Sequence, residues 1–182
     1  MSSSTSNANT VNAASAEDVT TPKAIKVIFL DCDGVVSPFN TNIMFETAKM
    51  ELLKKIIDGS YTEKYPVEIV LSSSWRTTEF GRKEVSKNLA KNRMKSFIGC
   101  TPVDTSVPRS VEILRWIDEN SDKFDVVNFV ALDDIPLANL APNKAFFSKH
   151  SVCTSGSTGL TEEDVKTAIS LLADDNNIET SN

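Results

Sequence analysis

One histidine, His150, stands in a chain of 182 residues, which excludes any site built from several imidazoles. A lone histidine of this kind reads as a surface or internally satisfied residue. Cysteine is scarce too: Cys32, Cys100 and Cys153 form neither a CxxC pair nor a secreted disulfide framework. They read as reduced thiols, and the expected location is cytoplasmic. No apolar run approaches the length of a membrane span. Residues 1–21 lack the apolar stretch of a secretory signal, and Glu17 and Asp18 precede the first basic residue, Lys23, against the pattern of a transit peptide. An excess of positive charge is also missing. The net charge of -6 argues against a broad basic surface for nucleic acid. One local basic cluster remains, made by Lys83, Lys87, Lys91, Arg93 and Lys95.

What is present fits one globular domain, with 40% hydrophobic and 24% charged residues. Residues 1–22 read as a disordered polar tail, 23–174 as the folded domain and 175–182 as a second polar tail. The domain is organised around Ile25–Leu30, an apolar run broken only by Lys26, which stops at Asp31, Cys32, Asp33 and Gly34. Such a run suits a strand buried on both faces of a parallel sheet. Residues one apart on an extended chain share a side, so Asp31 and Asp33 face one site and Cys32 faces away. Two close carboxylates repel unless a cation, a shared proton or strong donors lie between them.

The spacing predicts a helix over Asn42–Ile57 with Phe45, Ala48, Leu52 and Ile56 on one stripe. A connector follows over Tyr61–Pro66, then a strand over Val67–Leu71 ending in Ser72, Ser73, Ser74, Trp75 and Arg76. A polar helix covers Thr78–Asn92, and a short strand lies near Phe97–Gly99. Pro108 opens a helix with Val111, Leu114 and Ile117 on one stripe. Val126–Leu132 is a third strong strand, ending in Asp133 and Asp134, and Ala145–Phe147 reads as a short strand or edge. Thr161 opens a last helix with Asp164 in capping-box position and Val165, Ala168, Ile169 and Leu172 buried. Alternating strands and helices imply an α/β fold with a parallel sheet, and then the three polar strand ends lie along one edge.

Asp31, Asp33 and the Asp133/Asp134 pair would therefore converge, and an oxygen-rich site of this kind suits a hard cation such as Mg²⁺. Ser73 or Ser74 could donate to a phosphate oxygen, and Arg109 could add a fixed positive charge. Carboxylate, metal, hydroxyl and cation together make a phosphoryl-transfer site, because that reaction depends on positioning and charge neutralisation.

The motifs FLDCDGVV, IVLSSSW, Arg109 in PRSVEILRW, and ALDD resemble, in order, the four signatures of the haloacid dehalogenase (HAD) superfamily of phosphatases and phosphotransferases. The wording LSSSWR, PRSVEILRWID, LDD and GLTEEDV is similar to a small group of such domains found in multi-domain RNA repair proteins and as free-standing proteins. The resemblance implies a three-layer Rossmann-like sheet with helices on both faces. It also implies a nucleophile at Asp31, a general acid and base at Asp33, a phosphate-binding hydroxyl at Ser73 with Ser74 next, and Arg109 where the family often has lysine. Mg²⁺ would be held by Asp31, the Asp33 backbone carbonyl, and Asp133 or Asp134. The serine triplet leaves its register open by one residue, and strand alternation lets only one of Asp133 and Asp134 point fully at a metal. Arg115 competes with Arg109 from within the same helix.

The segments between motifs are too short for a large cap domain, so the site should be open to a phosphorylated macromolecule or chain end. Trp75, Arg76 and the basic helix could then grip a polymer. Each feature has an ordinary alternative: an Asx turn at DCDG, helix capping by Ser72–Ser74, packing by Trp75, Trp116 and Cys32, a solvated face for Lys83–Lys95, and a plain loop at Ser155–Gly159, which lacks the lysine of a P-loop. Two other functions compete with a Mg²⁺-dependent phosphatase. One is a non-catalytic phosphate-sensing or protein-binding module on the same fold; the other is a phosphatase that processes nucleic-acid ends.

Overall fold

A computed structural model describes residues 21–173, so apart from Thr21 and Pro22 the expected tails lie outside the described residues. The elements in chain order are β1 (Lys23–Leu30), α1 (Thr47–Ser60), β2 (Val67–Leu71), a 3₁₀ turn (Ser74–Thr77), α2 (Glu79–Lys91), β3 (Gly99–Cys100), α3 (Arg109–Glu119), β4 (Phe124–Asp133), α4 (Leu137–Leu140), α5 (Lys144–Ser148), β5 (Ser151–Cys153) and α6 (Glu162–Ala173). The five strands form one parallel sheet in the order β3-β2-β1-β4-β5. The chain thus winds outward from β1 through β2 to β3, then returns to the far side of β1 for β4 and β5. Ligand crevices of doubly wound sheets open at that reversal, beyond the carboxyl ends of the strands.

Strand alternation divides the core in two. Ile28, Leu30, Ile69, Leu71, Val130 and Leu132 pack beneath α1, α2 and α6, against Met50, Leu53, Val85, Leu89, Val165 and Leu172. Val27, Phe29, Val70, Phe129 and Ala131 pack beneath α3, α4 and α5, against Ile113, Trp116, Leu137 and Phe147. Each fully buried large apolar side chain contributes ~1.5–3 kcal/mol relative to exposure, and the sheet edge inherits its rigidity from both layers. The fold is the three-layer α/β architecture expected, with no cap domain among the described residues.

Several local expectations need correction. The first helix starts at Thr47 rather than Asn42, because Phe45 has φ 53, outside the helical region. Its buried face is Met50, Leu53, Ile56 and Ser60; of the expected stripe Ala48 is exposed and Leu52 only half-buried. In α3 the buried residues are Ser110, Glu112, Ile113 and Trp116, with Leu114 exposed. Residues 145–147 lie within helix α5, where the Asn143 side chain caps the Phe146 N–H at 3.0 Å; the edge strand is Ser151–Cys153. The Thr161 capping box forms in both directions, with Thr161 N–H donating to Asp164 Oδ2 and Asp164 N–H to Thr161 Oγ1. On α2, Lys83 pairs with Glu79 and Lys87 with Glu84, so the basic cluster is partly neutralised by its own helix.

Candidate active site

Leu30 pairs in register with both Leu71 and Leu132. The next residues, Asp31, Ser72 and Asp133, therefore stand in one row at the edge of the sheet. Phe29, Val70 and Ala131, two residues earlier, all belong to the layer beneath α3. By the pleat, Asp31, Ser72 and Asp133 aim to that same side, where Arg109 begins α3. Its Nη1 lies 3.0 Å from Asp31 Oδ2 and 2.6 Å from Asp133 Oδ2. The other oxygen of each acid accepts a backbone N–H, Asp31 Oδ1 from Cys32 at 2.8 Å and Asp133 Oδ1 from Ile135 at 2.9 Å.

Asp134 joins them. Carboxylate oxygens of Asp31, Asp133 and Asp134 lie within 4.8 Å of one another. Both of the last two acids, expected to alternate, thus reach the same group, Asp133 from the end of β4 and Asp134 from the turn beyond it. Two glycines make room for it. A Cβ on Gly34, whose φ of 72 already favours glycine, would stand 2.7 Å from Asp134 Cγ. A Cβ on Gly156 would stand 2.8 Å from both Asp134 Oδ2 and the Phe39 ring, which is 65% exposed beside the acid.

Burial pushes the Asp133 carboxyl up to about 6, with Asp31 adding to the rise and Arg109 opposing it. Burial and then Asp31 raise Asp134 as well. Burial works against the Arg109 charge, yet Asp133 and Asp31 outweigh it and hold the guanidinium protonated. Three carboxylates against one guanidinium leave two negative charges uncompensated, the complement of a divalent cation. The donors are all hard oxygens, and oxygens around Mg²⁺ at ~2.1 Å lie ~3–4.2 Å apart, a spread this group matches with small adjustments. The residues present fit the metal.

The other expected site residues divide. Asp33 does not belong to the three-acid group; both of its oxygens accept from Trp75 Nε1 at 3.0 Å, and Oδ2 lies 3.4 Å from Ser74 Oγ. Ser73 sits on the opposite side of the sheet edge from Asp31, hydrogen-bonded to the Cys32 thiol, which burial pushes well up. Ser72, in the row with Asp31, is buried, with its Oγ 3.5 Å from the Thr101 hydroxyl. Ser74 is exposed. Arg115 pairs with Asp104 at 3.1 Å.

Trp75 packs against the core beside Phe45, as its packing reading expects, and Arg76, read from sequence as a polymer-gripping residue, turns inward. Arg76 is buried and pairs with buried Glu112 at 2.8 Å, while donating to the carbonyls of Ser73, Thr101 and Pro102. Glu112 in turn accepts the Asp104 N–H at 2.7 Å. This fully bonded pair ties the loop after β2 to α3 and so fixes where Arg109 stands. No pattern in the sequence marks this pair, since the expected stripe of Val111, Leu114 and Ile117 leaves Glu112 out.

The family model described as the HAD domain in Swiss Army Knife RNA repair proteins matches residues 27–165. No curated protein and no solved structure matches the chain.

Proposed function

This chain belongs to the family described as the HAD domain in Swiss Army Knife RNA repair proteins, and from that footing we propose that it is a Mg²⁺-dependent phosphatase working through an aspartyl-phosphate on Asp31. The observation that carries the reading is the meeting of Asp31, Asp133 and Asp134 with Arg109 at the reversal point of the sheet. Families of this kind are generally hydrolases.

Asp31 attacks phosphorus while Asp33 gives its proton to the leaving oxygen, which splits one hard displacement into two easier ones. Asp33 then takes a proton from water, the water oxygen attacks phosphorus, and Asp31 is released with inorganic phosphate. Arg109 holds a phosphoryl oxygen and Ser72, in the row with Asp31, offers its hydroxyl in the role expected of Ser73. Mg²⁺, held by Asp31, Asp133, Asp134 and the Asp33 carbonyl, would offset carboxylate repulsion and neutralise phosphoryl charge.

The substrate we propose is a phosphorylated macromolecule or chain end, since no second layer of protein covers the edge among the described residues. Within that class, the RNA-repair setting named for the family favours a nucleic-acid end, and the exposed Phe39 ring beside Asp134 offers a face for a base. Phosphate release from an aryl phosphate, with and without Mg²⁺, tests the chemistry; turnover surviving in Asp31→Asn would reject it. Release from 3′- or 5′-phosphorylated oligonucleotides no faster than from small esters would reject the nucleic-acid end.

A further inference from the structure

We infer that Trp75 is the positioning residue for Asp33: its indole N–H holds the carboxylate that handles the leaving-group proton, apart from the three acids of the cation site. The inference rests on the phosphatase reading for its kinetic consequence, and on geometry alone for the contact. Trp75 Nε1 stands 3.0 Å from each Asp33 oxygen, a forked bond centred on the carboxylate.

Asp31 and Asp33 lie one residue apart, so their charges would be in each other's way without a donor to separate them. An indole is suited to that task. It donates and never accepts, and it does not ionise near neutrality, so it can neither take the proton Asp33 carries nor compete for the metal. It also uses one direction of approach to the carboxylate, which leaves a lone pair free to carry the proton that passes to the leaving oxygen.

The tryptophan is itself held. It lies in the 3₁₀ turn after β2, where its backbone N–H donates to Ser73 Oγ at 3.5 Å. Its ring meets Phe45 edge-on, with centroids 5.1 Å apart. Phe45 adopts φ 53 and donates its N–H to Ser37 Oγ at 2.9 Å, in the turn that closes just after Asp33. An uncommon backbone conformation at a bulky residue is kept only where its surroundings hold it. Here it places the ring that supports Trp75, so the loop after β1 supplies both the acid and the prop for its anchor.

Two readouts test this. The chain has two tryptophans, so sequentially assigned NMR spectra show two indole N–H signals. In Asp33→Asn the Trp75 signal should move, having lost a charged acceptor, while that of Trp116 stays. An unmoved Trp75 signal overturns the contact in solution. For the kinetic arm, Trp75→Phe keeps the ring against Phe45 and loses the donor. General acid catalysis contributes ~10²–10⁴-fold where the leaving group needs a proton, so kcat/KM on an alkyl phosphate, which reports the steps up to expulsion of the leaving group, should fall at least ~10-fold. For p-nitrophenyl phosphate, whose leaving group needs no proton, kcat/KM should stay within ~3-fold; the water step that both esters share affects kcat alone. Equal losses of kcat/KM on both esters, the mark of a merely structural residue, overturn the role. A parent protein that turns over neither ester overturns the phosphatase reading and this role with it, whereas the indole signal still reports separately on the contact.

Discussion

Removing Arg109 should weaken the metal-free protein and strengthen its hold on Mg²⁺. One nitrogen, Nη1, bridges Asp31 Oδ2 and Asp133 Oδ2, and both acids are buried. Breaking a buried pair by deleting one partner costs ~3–5 kcal/mol, because the other charge stays behind without compensation. In a domain of this size each kcal/mol moves Tm by ~2–4 °C, so metal-free Arg109→Ala should melt ~6–20 °C below the parent at pH 8, where Asp133 is ionised. The cost shrinks toward pH 5, since Asp133 titrates near 6 and a protonated acid no longer needs the guanidinium.

The metal follows the opposite sign. The guanidinium stands against two of the three carboxylates that would bind the cation. A monovalent and a divalent charge a few ångström apart repel by several kcal/mol at an effective dielectric of ~20. If only ~1.4 kcal/mol of that survives relaxation, Mg²⁺ binds ~10-fold tighter to Arg109→Ala. Turnover nevertheless falls, because a phosphoryl oxygen loses its cation. Melting curves with and without metal, calorimetric Mg²⁺ titration and phosphate release give the three quantities. A variant that melts with the parent and binds Mg²⁺ no more tightly would refute the charge arithmetic of the site.

Three further outcomes follow from the packing around the site. Glu112→Ala should destabilise the domain by ~3–5 kcal/mol in urea unfolding, since it strands buried Arg76, while the double change Arg76→Met with Glu112→Leu should recover most of that loss. Gly156→Ala should leave the fold intact but weaken Mg²⁺ binding, because the new methyl meets Asp134 Oδ2 and the Phe39 ring; equal affinity by titration would count against Asp134 as a ligand. His150 is buried between Phe129 and Phe146 with Nδ1 donating to the Phe129 carbonyl, and burial holds its pKa below 6.5. The unfolded chain therefore takes up a proton that the folded one resists, so this residue's contribution is fully present above 6.5 and is lost as pH falls below it. His150→Gln should flatten that part of the slope of unfolding free energy between pH 7.5 and 5.

The parts of the fold that could be read from sequence are those whose cause lies within a few residues. Val67–Leu71 is apolar but for Glu68, its ends are marked by Pro66 and Ser72, and it is a strand over that span. Thr161 and Asp164 satisfy each other across three residues. The misreadings have causes that lie elsewhere in the chain. Periodicity in α3 nominates Val111, Leu114 and Ile117, but the helix turns instead to bury Glu112, because Arg76, far away in sequence, meets it there. Between Ser73 and Ser72 a one-residue step flips a side chain across the sheet, and it is the pairing of Leu71 with Leu30, not the triplet itself, that puts Ser72 in a row with Asp31. The same distinction runs through the site. Its acids announce themselves because two motifs end strands. Which partner each donor meets does not, since Arg109 reaches Asp133 across 24 residues, Arg76 reaches Glu112 across 36 and Trp75 reaches Asp33 across 42. Each of those three bonds joins a residue at or just beyond the end of one strand to another part of the chain. The relative placement of the motifs therefore depends on pairings that no local pattern shows, and substitutions at Trp75, Arg76 or Glu112 should disturb the site without touching any motif acid.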